Sequence, residues 1–318
     1  MLFWYSVFIM TKQTKQKLIA ITGPSSSGKT KLAVQLAKTL NGEVISVDSR
    51  QIYKELDIGS AKPTMEERQG IKHHLLDIVD ITEEYTAADF CDDARLVIKD
   101  ILSRGKLPVL AGGTGLYFRI LLQDFELPRV APDKELREKL EKQSSEELYK
   151  RLTELDFELS QKIHPNNKIK IIRALEVCIT LGIPMSKAQK KKEAEFNTIW
   201  LGLNSEDREF LYDRINKRTD IMFKQGLLKE AENLFNKYGE NKILTGTIGY
   251  QELLPYIKGE SDFETASNLL KQNTSSYAKR QISWFKANKE INWFDIKNQT
   301  PDEIEQKSVN LFESMLEV

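Results

Sequence analysis

The segment Gly23, Pro24, Ser25, Ser26, Ser27, Gly28, Lys29, Thr30 has the residue types and spacing of a phosphate-binding loop. Its glycines let backbone N–H groups curl around an anion, and the helix start that follows adds partial positive charge. Lys29 brings a mobile full charge, and Thr30 a hydroxyl able to reach Mg²⁺. Asp48 is the next chemical group: a carboxylate there can bind a metal ion or take a proton from a nucleophile. Its plain alternative is to cap a backbone N–H. Gln51, three residues on, carries an amide of the kind that reads an adenine edge bidentately. The run Gly112, Gly113, Thr114, Gly115 permits close backbone approach and offers one hydroxyl, though a simple glycine turn reads the same way. Arg214 and Arg218 lie four apart, so on a helix they share a face and could neutralise a diphosphate. Pairing with Asp213 or Asp220 is the bland alternative.

These groups need elements to hold them. Apolar runs at 18–22, 43–47 and 107–111 read as buried strands, and the patterns at 30–40 and 87–103 as helices. Such alternation predicts an α/β fold, a P-loop NTPase-like parallel sheet flanked by helices. Ligands of such sheets sit at the carboxyl ends of the strands. The loop at 23–30, Asp48 and Thr114 should therefore surround one crevice. The strand at 107–111 ends in glycines and lacks the acid that a P-loop ATPase places there for Mg²⁺. That weakens ATP hydrolysis as the chemistry, so ATP binding rests on the loop motif alone.

The pattern turns helical at 134–142, 145–155 and 168–181, and a strand at 198–203 returns to the sheet. The expected organisation is an extension at 1–17 without fixed structure, a core at 18–131, a helical insertion at 132–196, and a mostly helical return to the core at 197–318. Residues 161–192 carry eight Lys/Arg against Glu176 alone, a surface able to grip a polyanion or merely a solvated face. The whole chain has 47 basic and 47 acidic residues, so this charge is local. His73 and His74 would face opposite sides of a strand and read as structural. Two cysteines make neither a disulfide framework nor a zinc site, and fit a reducing cytoplasm. No apolar run suits a membrane span. Residues 1–9 are apolar without the marks of a signal peptide, and Met10 reads as an ordinary start.

At these residues the chain resembles the tRNA dimethylallyltransferases of bacterial type. The motifs are the loop at 23–30, the stretch from Ile45 to Tyr53, Asp57 to Pro63, His73 to Asp80, and Gly112 to Tyr117. Ile171 to Val177, Arg214-Ile215 with Arg218, Ile248 to Gln251, and Tyr277 to Gln281 complete an ordered set. The resemblance implies transfer of a dimethylallyl group from dimethylallyl diphosphate to N6 of adenosine 37 in the tRNA anticodon loop, releasing diphosphate. It implies Asp48 as the base, Thr114 as a contact to the bridging oxygen, and Arg218, with Arg214, as a diphosphate clamp. Gly23, Pro24, Ser25, Ser26, Ser27, Gly28, Lys29 and Thr30 would hold the diphosphate, with Thr30 also toward Mg²⁺. Asp48, Ser49, Arg50 and Gln51 would hold the flipped adenine; Arg137, Ile169, Lys170, Ile171, Ile172 and Arg173, with Lys279, Arg280 and Gln281, are implied as tRNA contacts. The family often has more arginine where this chain has Ile169 and Lys170.

The implied partners are the tRNA anticodon stem-loop and dimethylallyl diphosphate, with Mg²⁺ as cofactor, no membrane, and a monomer in the cytoplasm. The zinc-finger tail of some eukaryotic members is absent. Competing readings are prenylation of free adenine nucleotides, a P-loop kinase of a small metabolite, and a GTP-dependent RNA-binding module. The missing strand-end acid and the basic insertion argue against the kinase; nothing resembles a guanine-reading motif.

Overall fold

The computed structural model describes residues 15–123, 125–126, 128–191 and 193–316. Its strands in chain order are β1 (Lys17–Thr22), β2 (Gly42–Val47), β3 (His73–His74), β4 (Leu107–Gly112), β5 (Phe125–Glu126), β6 (Lys190–Lys191), β7 (Asn197–Asn204) and β8 (Asn292–Asp295). Six form one sheet in the order β3-β2-β4-β1-β7-β8, with every neighbouring pair parallel. β5 and β6 make a separate antiparallel ribbon. The α/β expectation holds.

β1 is central, and Leu18, Ile19, Ala20 and Ile21 are fully buried, as a strand covered on both faces requires. Helix α1 (Lys29–Thr39) lays Leu32, Ala33, Leu36 and Ala37 into the same core as Ile19, Ile21 and Leu201. Burying each large aliphatic side chain contributes about 1.5–3 kcal/mol. The register decides where chemistry can occur. Ile21 pairs with Ala111, and Val47 with Gly112, so β1, β2 and β4 end side by side. The loop at 23–30, Asp48 and the glycine turn start from adjacent strand ends.

Two compact units divide the chain. One comprises residues up to Glu84, Ala94–Gly115 and the chain from Glu195 onward; the other comprises Tyr85–Asp93 and Leu116–Ala194. The helical unit thus begins at Leu116 rather than at 132, and it includes an earlier segment in which Phe90 stacks on Tyr117 at 4.1 Å. Helical periodicity cannot register such a long-range contact. Within this unit the helices Lys134–Glu141, Ser145–Leu155 and Lys168–Leu181 start at Asp133, Ser144 and Asn167, each capping a backbone N–H. Leu140, Leu148, Leu152, Ile171 and Leu175 form its core.

Two local differences stand out. β1 starts at Lys17, inside the expected extension, because Lys17 pairs with Asn197 and its ammonium donates to the Met315 carbonyl. β8 lies in the stretch expected to be mostly helical. Only four residues long and bonded to β7 alone, it offers too little alternation to read. Residues 1–14 lie outside the described residues. No helix among the described residues is long and apolar enough to cross a membrane.

Candidate active site

A cavity of about 1660 Å³ opens at the strand ends of the first unit. Residues Ser25 to Lys31, Asp48 to Gln51, Ala111 to Gly113, Arg214, Arg218 and Tyr277 are on its wall. The loop enters α1 through Gly28 at φ 98°, a left-handed turn that other residues adopt only with strain. Lys29 Nζ donates to the carbonyls of Gly23 (3.0 Å) and Pro24 (2.7 Å). Burial, and then the Arg218 guanidinium, bring its ammonium down to about 7, while Asp48 pulls upward. The buried Ser27 hydroxyl has no partner among the described residues. A buried polar atom without a partner is costly unless something binds there.

Arg214 Nε donates to the Ser26 carbonyl at 2.8 Å, and Arg218 Nη2 to the Ala61 carbonyl at 3.4 Å. Neither arginine is ion-paired with Asp213 or Asp220; Asp220 pairs with Lys271 instead. Burial lowers the Arg218 guanidinium, and Arg214 adds to that, against Glu67 and Asp48. Among the described residues, Lys29, Arg214 and Arg218 thus hydrogen-bond only carbonyl oxygens and form no ion pair, although Asp48 and Glu67 act on them from farther off. Cations placed together without a directly bonded carboxylate suit an anion carrying several charges.

Asp48 follows β2 and does cap backbone: Oδ1 accepts from Arg50 N at 2.8 Å and Gln51 N at 3.3 Å. Its other oxygen has no hydrogen-bond partner among the described residues, so the bland role and a chemical role coexist. Thr114 Oγ1 accepts from Ser49 N at 3.1 Å, tying the glycine turn to the residue after Asp48. That bond uses a lone pair and leaves the Thr114 proton available. Gly112 and Gly113 line the cavity, and Thr114 is not among the lining residues.

The amide of Gln51 is not free to read a base. Its Oε1 accepts from Ser46 Oγ at 2.9 Å, and its Nε2 donates to the Ala61 carbonyl at 3.1 Å. It holds the loop after Asp57 against β2. Arg50 reaches the Gly246 carbonyl at 3.0 Å. Gln281 is also bound within the protein, to Ser25 and Gly113. Lys279 and Arg280 are exposed, over the rings of Tyr212 and Tyr277 respectively.

The helical unit sorts its expected tRNA contacts. Ile169 is 84% exposed and Lys170 is exposed, both in the first turn of their helix. Ile171 and Ile172 are core residues, so their side chains cannot meet a polyanion. Arg137 grips the fully buried Glu176 with two bonds of 2.8 Å, and Arg173 bonds the same carboxylate and the Val130 carbonyl. Burial alone would raise the Glu176 carboxyl; the two guanidinium groups and the Asp133 N–H outweigh it and hold it low. In the basic run, Lys192 lies outside the described residues.

Several residues that organise the cavity were not picked out individually from sequence. Lys62 is buried and donates to Asp57 Oδ1, to Asp77 and to the Tyr53 carbonyl, pinning two loops together. Glu230 accepts from the N–H groups of Ile58 and Gly59 and from the Tyr250 hydroxyl. Tyr277 has its phenol pushed up to about 12 by burial and by Asp48. No local pattern marks Glu230, whose partners Ile58 and Gly59 lie 172 and 171 residues away, whereas the partners of Lys62 lie within 15 residues of it. His73 and His74 bond different partners, the Ile71 carbonyl and Glu43.

The described residues contain no cluster of three or more His, Cys, Asp or Glu that could hold a metal ion. The Thr30 hydroxyl and the Asp48 carboxylate lie on the cavity wall, which also carries Asp57, Glu66, Glu67 and Asp77. Oxygen groups of this kind fit Mg²⁺, which keeps several waters and takes its other ligands from phosphate oxygens.

Residues 51–288 match the family model described as IPP transferase, leaving the phosphate loop just outside the match. The chain is 44% identical to the tRNA dimethylallyltransferase of Caldanaerobacter subterraneus, over 93% of this chain and 96% of that protein. It is 41% identical to the tRNA dimethylallyltransferase of Bacillus subtilis, covering 93% and 96%. Among solved structures, the tRNA isopentenylpyrophosphate transferase of Bacillus halodurans superposes with a TM-score of 0.72 at 40% identity, over 95% of this chain and 99% of that one. A eukaryotic dimethylallyltransferase captured acting on tRNA gives 0.82 at 30% identity, over 95% and 80%. This chain, with its cavity lined by a phosphate loop, two arginines and a strand-end aspartate, is matched along nearly its whole length by these enzymes and belongs to the IPP transferase family.

Proposed function

We propose that this chain transfers a dimethylallyl group from dimethylallyl diphosphate to N6 of adenosine 37 in tRNA, acting as a monomer in the cytoplasm. The carrying observation is that, among the described residues, Lys29, Arg214 and Arg218 bond only carbonyl oxygens, in the same cavity as the open Asp48 oxygen. In the reaction the C1–O bond to diphosphate breaks and an N6–C1 bond forms, while Asp48 takes the N6 proton. Charge grows on the leaving diphosphate, where the three cations and the loop amides stabilise it. Asp48 works on a weak nucleophile, because the N6 lone pair is delocalised into the ring; such general-base help is worth about 10²–10⁴ in rate. Thr114, whose hydroxyl proton is free, would need the glycine turn to turn it toward the cavity before it could donate to the bridging oxygen. The adenine must leave its stack to enter the cavity. Thr30 would hold Mg²⁺, which supplies further positive charge to the diphosphate when bound.

The test is incubation with labelled dimethylallyl diphosphate, Mg²⁺ and either unmodified tRNA or AMP. Label should enter tRNA alone. Label in AMP, or consumption of ATP, would refute the reading. Asp48→Asn should cut turnover about 10²–10⁴-fold, with tRNA affinity retained in a gel-shift titration.

A further inference from the structure

Gln281 sits on the helix Phe263–Phe285, far in sequence from every strand end it touches. It is 6% exposed, and both ends of its amide are engaged inside the protein. Oε1 accepts from Ser25 N at 2.9 Å and from Ser25 Oγ at 3.4 Å. Nε2 donates to the Gly113 carbonyl at 3.1 Å. The approach to Gly113 is close: a Cβ there would lie 2.1 Å from Gln281 Nε2. A side chain at 113 would therefore displace the amide from this position.

The contacts continue on the far side. Thr114 Oγ1 accepts from Ser49 N, and Asp48 Oδ1 accepts from Arg50 N. One unbroken series therefore runs from the phosphate loop, through Gln281 and the Gly113–Thr114 turn, to the Asp48 turn. We infer that Gln281 is a positioning residue for the transfer. It sets the distance between the loop that holds the leaving diphosphate and the carboxylate that takes the proton. The inference rests on the proposed function, because that reaction needs both groups placed at once about the forming N–C and breaking C–O bonds. A displacement of about 1 Å in such an arrangement can cost about 10²-fold in rate. Gln281 lies on the cavity wall, but its amide is bonded to Ser25 and Gly113, and it would act through them. The resemblance to relatives suggests a tRNA contact instead, which a buried amide bonded at both its oxygen and its nitrogen does not favour.

The experiment compares wild type, Gln281→Met, Gly113→Ala and the double variant, using labelled dimethylallyl diphosphate and tRNA. Met keeps the volume and removes every hydrogen bond. Gln281→Met should lower kcat about 10–100-fold, with the KM for the diphosphate donor and the Kd for tRNA each within about threefold of wild type. Gly113→Ala should show a loss of the same kind, and the double variant should lose little more than either single one, since both break one contact. Unchanged kcat, a tRNA Kd weakened tenfold at normal kcat, or strictly multiplicative losses would each overturn the inference. So would full recovery of kcat well below the thermal midpoint of the variant, which would mean a fold defect only. Absence of transfer by wild type would instead overturn the proposed function.

Discussion

Arginine and lysine serve opposite ends in the two units. In the cavity, Lys29, Arg214 and Arg218 donate to carbonyl oxygens of Gly23, Pro24, Ser26 and Ala61. A carbonyl satisfies the hydrogen bond without supplying a countercharge at contact. In the helical unit, Arg137 and Arg173 close on the buried Glu176 carboxylate, which offsets one of their two charges directly. The same residue type is poised for an incoming anion in one place and fixes a helical core in the other. What separates them is whether a carboxylate lies within about 4 Å, which sequence spacing does not reveal.

The largest break in that contrast should come from Lys29→Ala. Loss of a charge aimed at the leaving group should lower kcat/KM for transfer about 10²–10³-fold, measured by label entering tRNA. Its pH dependence sharpens the point. With the ammonium brought down to about 7, Lys29 is partly neutral in the free enzyme at neutral pH. Diphosphate raises that value, so binding takes up a proton wherever the free amine is neutral. Affinity for inorganic diphosphate should then fall as pH rises above about 7 in wild type, relative to Lys29→Ala, by up to about tenfold per pH unit. Calorimetric titration of both proteins checks this. Identical pH slopes would show that Lys29 is already fully charged.

Of intermediate size is Glu176→Gln. It should cost about 2–3 kcal/mol of stability in denaturant unfolding, with the arginines turning toward solvent. Both arginine side chains are already about one-third exposed, at 36% and 35%, which limits the loss. An unchanged unfolding midpoint would remove the structural reading of this network. The smallest effect belongs to Lys170→Ala. This exposed lysine has no side-chain bond among the described residues, so it should leave stability unchanged. It should lower the slope of log tRNA affinity against log salt by about 0.7–1. No change in slope would make it a bystander to the nucleic acid.

Much of the first unit was legible because its signals are local. The apolar run before Gly23, the residue spacing of the loop and the helical pattern after it lie within about two dozen residues. Asp48 could be placed because parallel sheets gather chemistry at strand ends. That the amides of Gln51 and Gln281 are bonded within the protein was not legible, because an amide looks the same in sequence whether it faces a base or the protein's own polar groups. Nor was the burial of Ile171 and Ile172, since a motif names a stretch while a helix divides it between core and solvent.

By itself, then, the sequence determined the α/β plan, the phosphate loop and the short list of groups able to do chemistry. Those depend on periodicity, on glycine and on charge, which act between near neighbours. Only the tertiary structure decided which cations have no carboxylate in direct contact, which amides are already occupied, and that one glutamine ties the phosphate loop to the aspartate turn. These depend on pairs such as Gln281 with Ser25 and Arg214 with Ser26, brought together across most of the chain by packing. No sequence window spans such a pair.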